Sequence, residues 1–434
     1  MALSTFGEQV LAKKMEHLLF NFPIGIEVER QQVNADGGLS QFPYPHNIGD
    51  PRTNKWITTD FMETMTEIAT PVAQSPEQAL RFLEQISNIL RKGLAEGEYL
   101  WPLSMPPKLP VDHSNINIAR TTLEKKKYSD EWLKRHRLQE ATPCGVHVNI
   151  SINPLLLNKL TSGVEERNQL YIKVAQGFLK YRFLLTYLYG ASPLAEGNYF
   201  LPNQKPHHLV RSIRQSKHGF GTKYDGDFTD TDRYARRIKH GLTTGELLAE
   251  HDFHSPVRLK GPASVAQLPT EGTQYIELRM LDLNPWSSTG IDNDAVDLLY
   301  LMMAYFLMME EGVFSLAKSN DRNERVALEQ PFDHCQFEEE ISTFLNQLGD
   351  FAIVIQTGQG AHDLLDRLRT MVDDPRQTVA GQLAAHVNND SLLKFALHQA
   401  IKFQSQSQKA VNVCQEFKGG KMFSAQALRE ILGT

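Results

Sequence analysis

Three segments of this 434-residue chain alternate apolar and polar side chains with the period of a β-strand, and all three carry chemistry-bearing groups on the polar side. Side chains two residues apart on a strand share a face. Over residues 24–33, Glu27 and Glu29 oppose Ile26 and Val28. Over 143–153, His147, Asn149 and Ser151 oppose Val146, Val148 and Ile150, and over 274–283, Glu277 and Arg279 oppose Ile276, Leu278 and Met280. Each segment therefore has one face for a hydrophobic core and one for something else. A sheet face turned to water shows the same alternation, but the Thr, Lys and Gln usual there are missing. If the three strands are neighbours, their carboxylates repel one another unless cations neutralise them. Hard divalent ions take oxygen ligands, and magnesium commonly joins carboxylates to nucleotide phosphates. Arg279 would then face a γ-phosphate, where a fixed cation stabilises charge in phosphoryl transfer. Asp60 and Glu67, in the segment 56–67, are candidates to join the acidic face. Because a metal-free acid cluster repels itself, neutralising Glu277 is expected to leave stability nearly unchanged.

The remaining pattern is α+β, with strands in the first two-thirds and helices after. Residues 1–20 are expected to be helical, Ser75 to cap a helix running to about Leu94, and 164–189 to form one long helix ending at Gly190. Residues 39–58 read as a long loop. A chain of this length exceeds the roughly 250–300 residues at which one core stops growing, so a catalytic core over 1–290 and a helical part over 291–434 packed on it are expected. The apolar run Leu298–Met309 is shorter than the ~20 residues of a membrane span and reads as a buried helix. Net charge is 45 minus 51, or −6, which argues against nucleic-acid or anionic-membrane partners. The one basic cluster, Lys125–Lys127 with Lys134, Arg135 and Arg137, reads as a solvated face. Cys144, Cys335 and Cys414 are odd in number and far apart, and residues 1–14 lack a signal-peptide pattern, so a reducing cytoplasm is expected. No P-loop or nucleophile elbow occurs. The run Gly219–Lys223 and the pair His251/His254 are weaker signals, with phosphate-turn and metal-ligand spacing respectively.

Several blocks in order resemble bacterial glutamate–cysteine ligase. They are GIEVER at 25–30, WITTDF at 56–61, LWPLSMP at 100–106, GVHVNIS at 145–151, YGASP at 189–193, SIR at 212–214 and YIELRMLDLNP at 275–285. The stretches SPVRLK at 255–260 and RMLD at 279–282 are most similar to the ligase half of the fused glutathione-synthesising enzyme. The chain ends at Thr434, so a dipeptide product without the second, ATP-grasp half is expected. The resemblance implies a glutamine-synthetase-like fold, in which a curved antiparallel sheet forms a funnel with ATP entering one end and amino acids the other. It implies magnesium or manganese held by Glu27, Glu29, Asp60, Glu67, His147 and Glu277, with Glu277 and Arg279 catalytic. It places Arg214, Phe61, Tyr128, Asn149, Phe220, His254 and Arg258 on the substrate side. The implied reaction activates the glutamate γ-carboxylate with ATP and passes it to the amine of cysteine. The alternatives are the same ligation with another acceptor amine, a metal-dependent hydrolase, or a binding protein that kept the fold. Three positions depart from the family. Ser129 stands where an arginine usually follows Tyr128, Phe220 where tyrosine usually follows Gly219, and His254 where tyrosine is common. These positions line the implied cysteine pocket. Loops around residues 215–255 are expected to close the funnel before the acyl phosphate forms.

Overall fold

The computed structural model describes residues 2–411 except 43, 46, 47, 114, 115, 120, 121 and 220–223. Seven strands lie among the described residues: β1 (Ile24–Val33), β2 (Ile57–Thr59), β3 (Met65–Ala69), β4 (Tyr99–Leu100), β5 (Val146–Ile150), β6 (Val257–Lys260) and β7 (Tyr275–Leu281). They form one antiparallel sheet in the order β2-β3-β1-β5-β7-β6, with β4 pairing the far end of β1. The sheet stays open, with β2 and β6 at its edges. The three strands picked out by alternation, β1, β5 and β7, are neighbours at its centre.

The apolar face dictates the packing. Ile26, Val28, Val146, Val148, Ile150, Ile276, Leu278 and Met280 are each at most 1% exposed. Helices Pro76–Gly93 and Val164–Lys180 pack on the sheet, and Asn293–Met308 packs against both. Ser75 caps the first of them, its hydroxyl accepting from the Gln78 amide. Helix Asn293–Met308 is buried along nearly its whole length. No helix among the described residues is long and apolar enough to cross a membrane.

Two helices expected as single units are broken. Residues 5–12 form a helix and 16–20 a 3-10 turn, separated where Lys14 takes a left-handed φ of 54°. The long helix expected over 164–189 stops at Lys180 and restarts at Arg182. Tyr181 leaves helical geometry between them and stacks its ring on Phe344 at 3.6 Å. The apolar spacing continues across this one-residue break, so periodicity alone cannot show it. The main hydrophobic cluster takes residues from Phe6 to Ala396, on both sides of residue 290, and a smaller one gathers Met105, Ala195, Tyr199, Val210 and Ile213.

Candidate active site

Strand pairing turns the alternation into a row of charges on the other face. Glu67 lies opposite Glu29, Glu27 opposite His147, Asn149 opposite Glu277, and Glu277 opposite Arg258. The β5–β7 register shifts between Val146 and Val148, which places an irregularity at His147. Bulges of this kind re-aim a side chain, and here the imidazole sits among three carboxylates. Its Nδ1 is 3.4 Å from Glu27 and 3.9 Å from Glu277, and its Nε2 is 3.7 Å from Glu29. Asn149 donates to Glu27 at 2.9 Å, and the Gly145 amide donates to Glu29 at 2.8 Å.

Glu277 is the hub of the positive end. Arg279 Nη1 donates to it at 2.6 Å and lies 3.2 Å from His147 Nδ1. Arg258 and Lys260 reach its other oxygen at 3.3 and 3.4 Å. Burial opposes its ionisation, but Arg258, Arg279 and Lys260 outweigh burial and hold the carboxyl well below the usual range. Burial works against Arg279 too, and Glu277 with Glu29 pushes its pKa up regardless.

At the opposite end Lys125 favours ionisation of two carboxyls but does not outweigh burial and neighbouring acids. Asp60 follows β2, and Glu67 stands on β3. Burial and Glu29 push Asp60 up to about 6. Burial, Asp60, Glu27 and Glu29 push Glu67 well above the usual range. Ionising both carboxyls would therefore concentrate negative charge at the β2–β3 end. Among the described residues, Glu27, His147 and Glu277 form the one group whose ligand atoms all lie within 4.8 Å of one another. His147 Nε2 is buried without a hydrogen-bond partner. Oxygen ligands, one imidazole and carboxyls that ionise readily only beside added positive charge suit a hard divalent cation.

A cleft of about 1390 Å3 opens over this face. Glu29, Asp60, Phe61, Glu67, His147, Arg279, Arg214, Tyr128, His254 and Arg258 line it; Glu27, Asn149 and Glu277 share the sheet face but are not among the lining residues. Phe61 packs edge-on against Trp132 at 5.1 Å. Arg214 is paired with Asp282 at 3.6 Å. Tyr128 donates its hydroxyl to Asp252 at 3.1 Å, and its ring meets His251 edge-on at 4.2 Å. Burial, Arg279 and Arg258 hold His254 well below the usual histidine pKa, so it is a neutral imidazole. The Ser129 hydroxyl donates to the carbonyl of Lys125 in its own helix. Phe220 and the run 220–223 lie outside the described residues.

The structure also brings in residues that sequence reasoning passed over. Lys125 and Lys127, expected on a solvated face, line the cleft, and Lys125 Nζ donates to the Thr59 carbonyl at 2.6 Å. The spacing of Lys125, Tyr128 and Ser129 on helix Leu123–Trp132 was a usable sign, because residues three and four apart share a helix face. Arg182, Gln215 and Lys217 line another wall and carried no pattern at all. His251 and His254 do not join a third ligand among the described residues. The segment expected as closing loops contains helix Thr231–Thr244, anchored by buried Tyr234 and Ile238.

A family model described as glutamate–cysteine ligase matches residues 8–246 and 227–327. A bifunctional glutathione-biosynthesis protein from Enterococcus faecalis is 34% identical over 405 residues, covering 89% of this chain and 53% of that protein. The protein of the same name from Streptococcus thermophilus is 32% identical, covering 87% and 51%. The chain thus spans about half the length of the curated relatives it matches. A solved bifunctional glutathione synthetase from Pasteurella multocida superposes with a TM-score of 0.86 at 28% identity, over 93% of this chain and 55% of that one. A glutamate–cysteine ligase from Francisella tularensis, solved with AMP, shares the fold with a TM-score of 0.81 at 19% identity, over 95% and 92%.

Proposed function

This chain belongs to the glutamate–cysteine ligase family, and from that membership we propose that it uses ATP to join the γ-carboxylate of glutamate to the amine of cysteine. The observation that carries this reading is the row on the sheet, where the carboxyls of Asp60 and Glu67 resist ionisation without a further cation and Arg279 is held in place by Glu277. A hydrolase needs no cation held for a transferred phosphoryl group, and a binding protein needs no such arrangement.

Chemistry assigns the steps. A γ-carboxylate oxygen bonds to the γ-phosphorus of ATP as the bond to the bridging oxygen breaks and ADP leaves. The amine nitrogen then attacks the acyl carbon, loses a proton, and inorganic phosphate departs. Arg279, oriented by Glu277, faces the transferred phosphoryl group and stabilises its charge. Arg214 holds a substrate carboxylate, and the cleft walls keep water from the acyl phosphate. Magnesium or manganese, held by Glu27, Glu29, Asp60, Glu67, His147 and Glu277, would neutralise the phosphate oxygens. With magnesium, ATP, glutamate and hydroxylamine, the protein should form γ-glutamyl hydroxamate and release ADP. Folded protein that makes none refutes the ligase reading.

The acceptor wall favours a second arm of the same assay. Tyr128 spends its proton on Asp252, Ser129 turns into its helix, and His254 is neutral, so none of the three supplies a cation for an acceptor carboxylate. A lost hydrogen bond to a charged group costs roughly 1.5–3 kcal/mol. Cysteine should therefore be preferred over cysteamine only weakly. A preference above about 10³, roughly 4 kcal/mol, would show that the carboxylate is still gripped.

Metal binding has a pH signature. The folded pKa values of Asp60 and Glu67 are raised, so the metal-free native state binds more protons than the unfolded chain above the ordinary values of 3.8 and 4.5. Their contribution to stability is fully present below that range and is lost as pH rises through about 6 for Asp60, and higher for Glu67. Magnesium binds the deprotonated form. At a hundredfold excess over Kd it should add about 2.7 kcal/mol at pH 8 and much less at pH 5. Equal Tm shifts at both pH values would remove these two residues from the metal shell.

A further inference from the structure

Just beyond β7, Asp282 is buried although it is a carboxylate. Its Oδ2 accepts three hydrogen bonds, from the Ala191 amide at 2.8 Å and from the Ser192 and Ser212 hydroxyls at 2.7 Å each. Its Oδ1 is buried, accepts none, and faces Arg214 Nη1 at 3.6 Å. The same Nη1 donates to the Leu281 carbonyl at 2.9 Å and lies 3.5 Å from the Arg279 carbonyl. The Arg214 amide donates to Ser192 Oγ at 3.2 Å, so backbone and side chain of Arg214 are tied to one network.

Every hydrogen bond of the guanidinium is thus made through Nη1. Nε and Nη2 meet no acceptor among the described residues, and Arg214 lines the cleft. The guanidinium packs against Gly145, where a Cβ would come within 1.7 Å of Nη2, 2.2 Å of Cζ and 2.7 Å of Nε. The Nε–Nη2 edge of an arginine matches a carboxylate bidentately. A carboxylate that saturates one oxygen with neutral donors and turns the other to a guanidinium sets the rotation of that fork.

We infer that Asp282 is a positioning residue that fixes the Arg214 guanidinium so that its unbonded Nε–Nη2 edge grips the carboxylate of the amino-acid substrate. This rests on the ligase reading, in which Arg214 holds a substrate carboxylate, here assigned to glutamate.

Asp282→Asn separates the two oxygens. Its carbonyl can keep the three donors while its amide N–H groups turn against Nη1. The expected result is a rise of about tenfold or more in the glutamate KM, the scale of one weakened charged hydrogen bond, with kcat and the ATP KM changed little. In the Arg214→Lys background the same substitution should add nothing further, because the fork it orients is gone. If Arg214→Lys itself leaves the glutamate KM unchanged, the assignment of Arg214 to glutamate falls, and this inference with it. If Arg214→Lys raises the KM but folded Asp282→Asn does not, only the role of Asp282 is overturned. Should Asp282→Asn fail to fold, Ser212→Ala removes one donor and keeps the carboxylate. A selective rise in glutamate KM then supports the role, and an unchanged KM overturns it.

Discussion

Glu277→Gln should lower turnover by about 10² or more, the scale of losing one charge-stabilising group in an active site, while the variant remains folded at assay temperature. The carboxylate pairs with Arg279 at 2.6 Å, and its other oxygen faces Arg258 and Lys260. Removing its charge frees Arg279 from its orienting partner and strips one anion from the metal-type group with Glu27 and His147. The effect on stability reverses the sequence-based expectation. A lone acid cluster would gain from losing a charge, but Glu277 is the anion that three cations share. Its removal should destabilise the protein, toward the low end of the roughly 3–5 kcal/mol seen for broken buried pairs, because Lys260 reaches solvent. The folded pKa of Glu277 is depressed, so its contribution is present above about 4.5 and is lost as pH falls through the folded value. The gap in urea midpoint between natural protein and variant should therefore narrow on acidification. Normal turnover in the variant would reduce the polar face to a charged surface without catalytic meaning.

The second large effect is structural. Phe306 on helix Asn293–Met308 is fully buried. Its ring stacks with Tyr181 at 5.9 Å and Phe344 at 6.0 Å and meets Phe178 edge-on at 5.2 Å. Gly177 makes room for it, since a Cβ there would lie 2.4 Å from the ring. Phe306→Ala should cost about 3–5 kcal/mol, the transfer term plus the cavity left behind. Because the main cluster spans residues 6–396, unfolding should remain a single cooperative step, with fluorescence and activity lost together. A shift below about 1 kcal/mol would mean that the site collapses to refill the space. Activity that outlasts the fluorescence transition would mean that the helical part unfolds separately.

What the sequence determined by itself is local. The bounds of β1, the polar and apolar faces of β1, β5 and β7, and the Ser75 cap all follow from side-chain period and from residues competing for backbone donors. Glu27, Glu29, His147, Asn149, Glu277 and Arg279 could be picked out because each strand had to bury its other face. The tertiary structure alone decided that β1 and β5, some 120 residues apart, pair side by side, and that a register shift accompanies His147 among three carboxylates. It also decided that Lys125 belongs to the cleft, that Glu277 is shared by three cations, and that Asp282 faces Arg214. Each of these depends on distances between segments remote in the chain. Periodicity says which way a side chain points from its own strand or helix, but charge, burial and hydrogen bonding are set by whatever stands opposite, and only packing brings that into place.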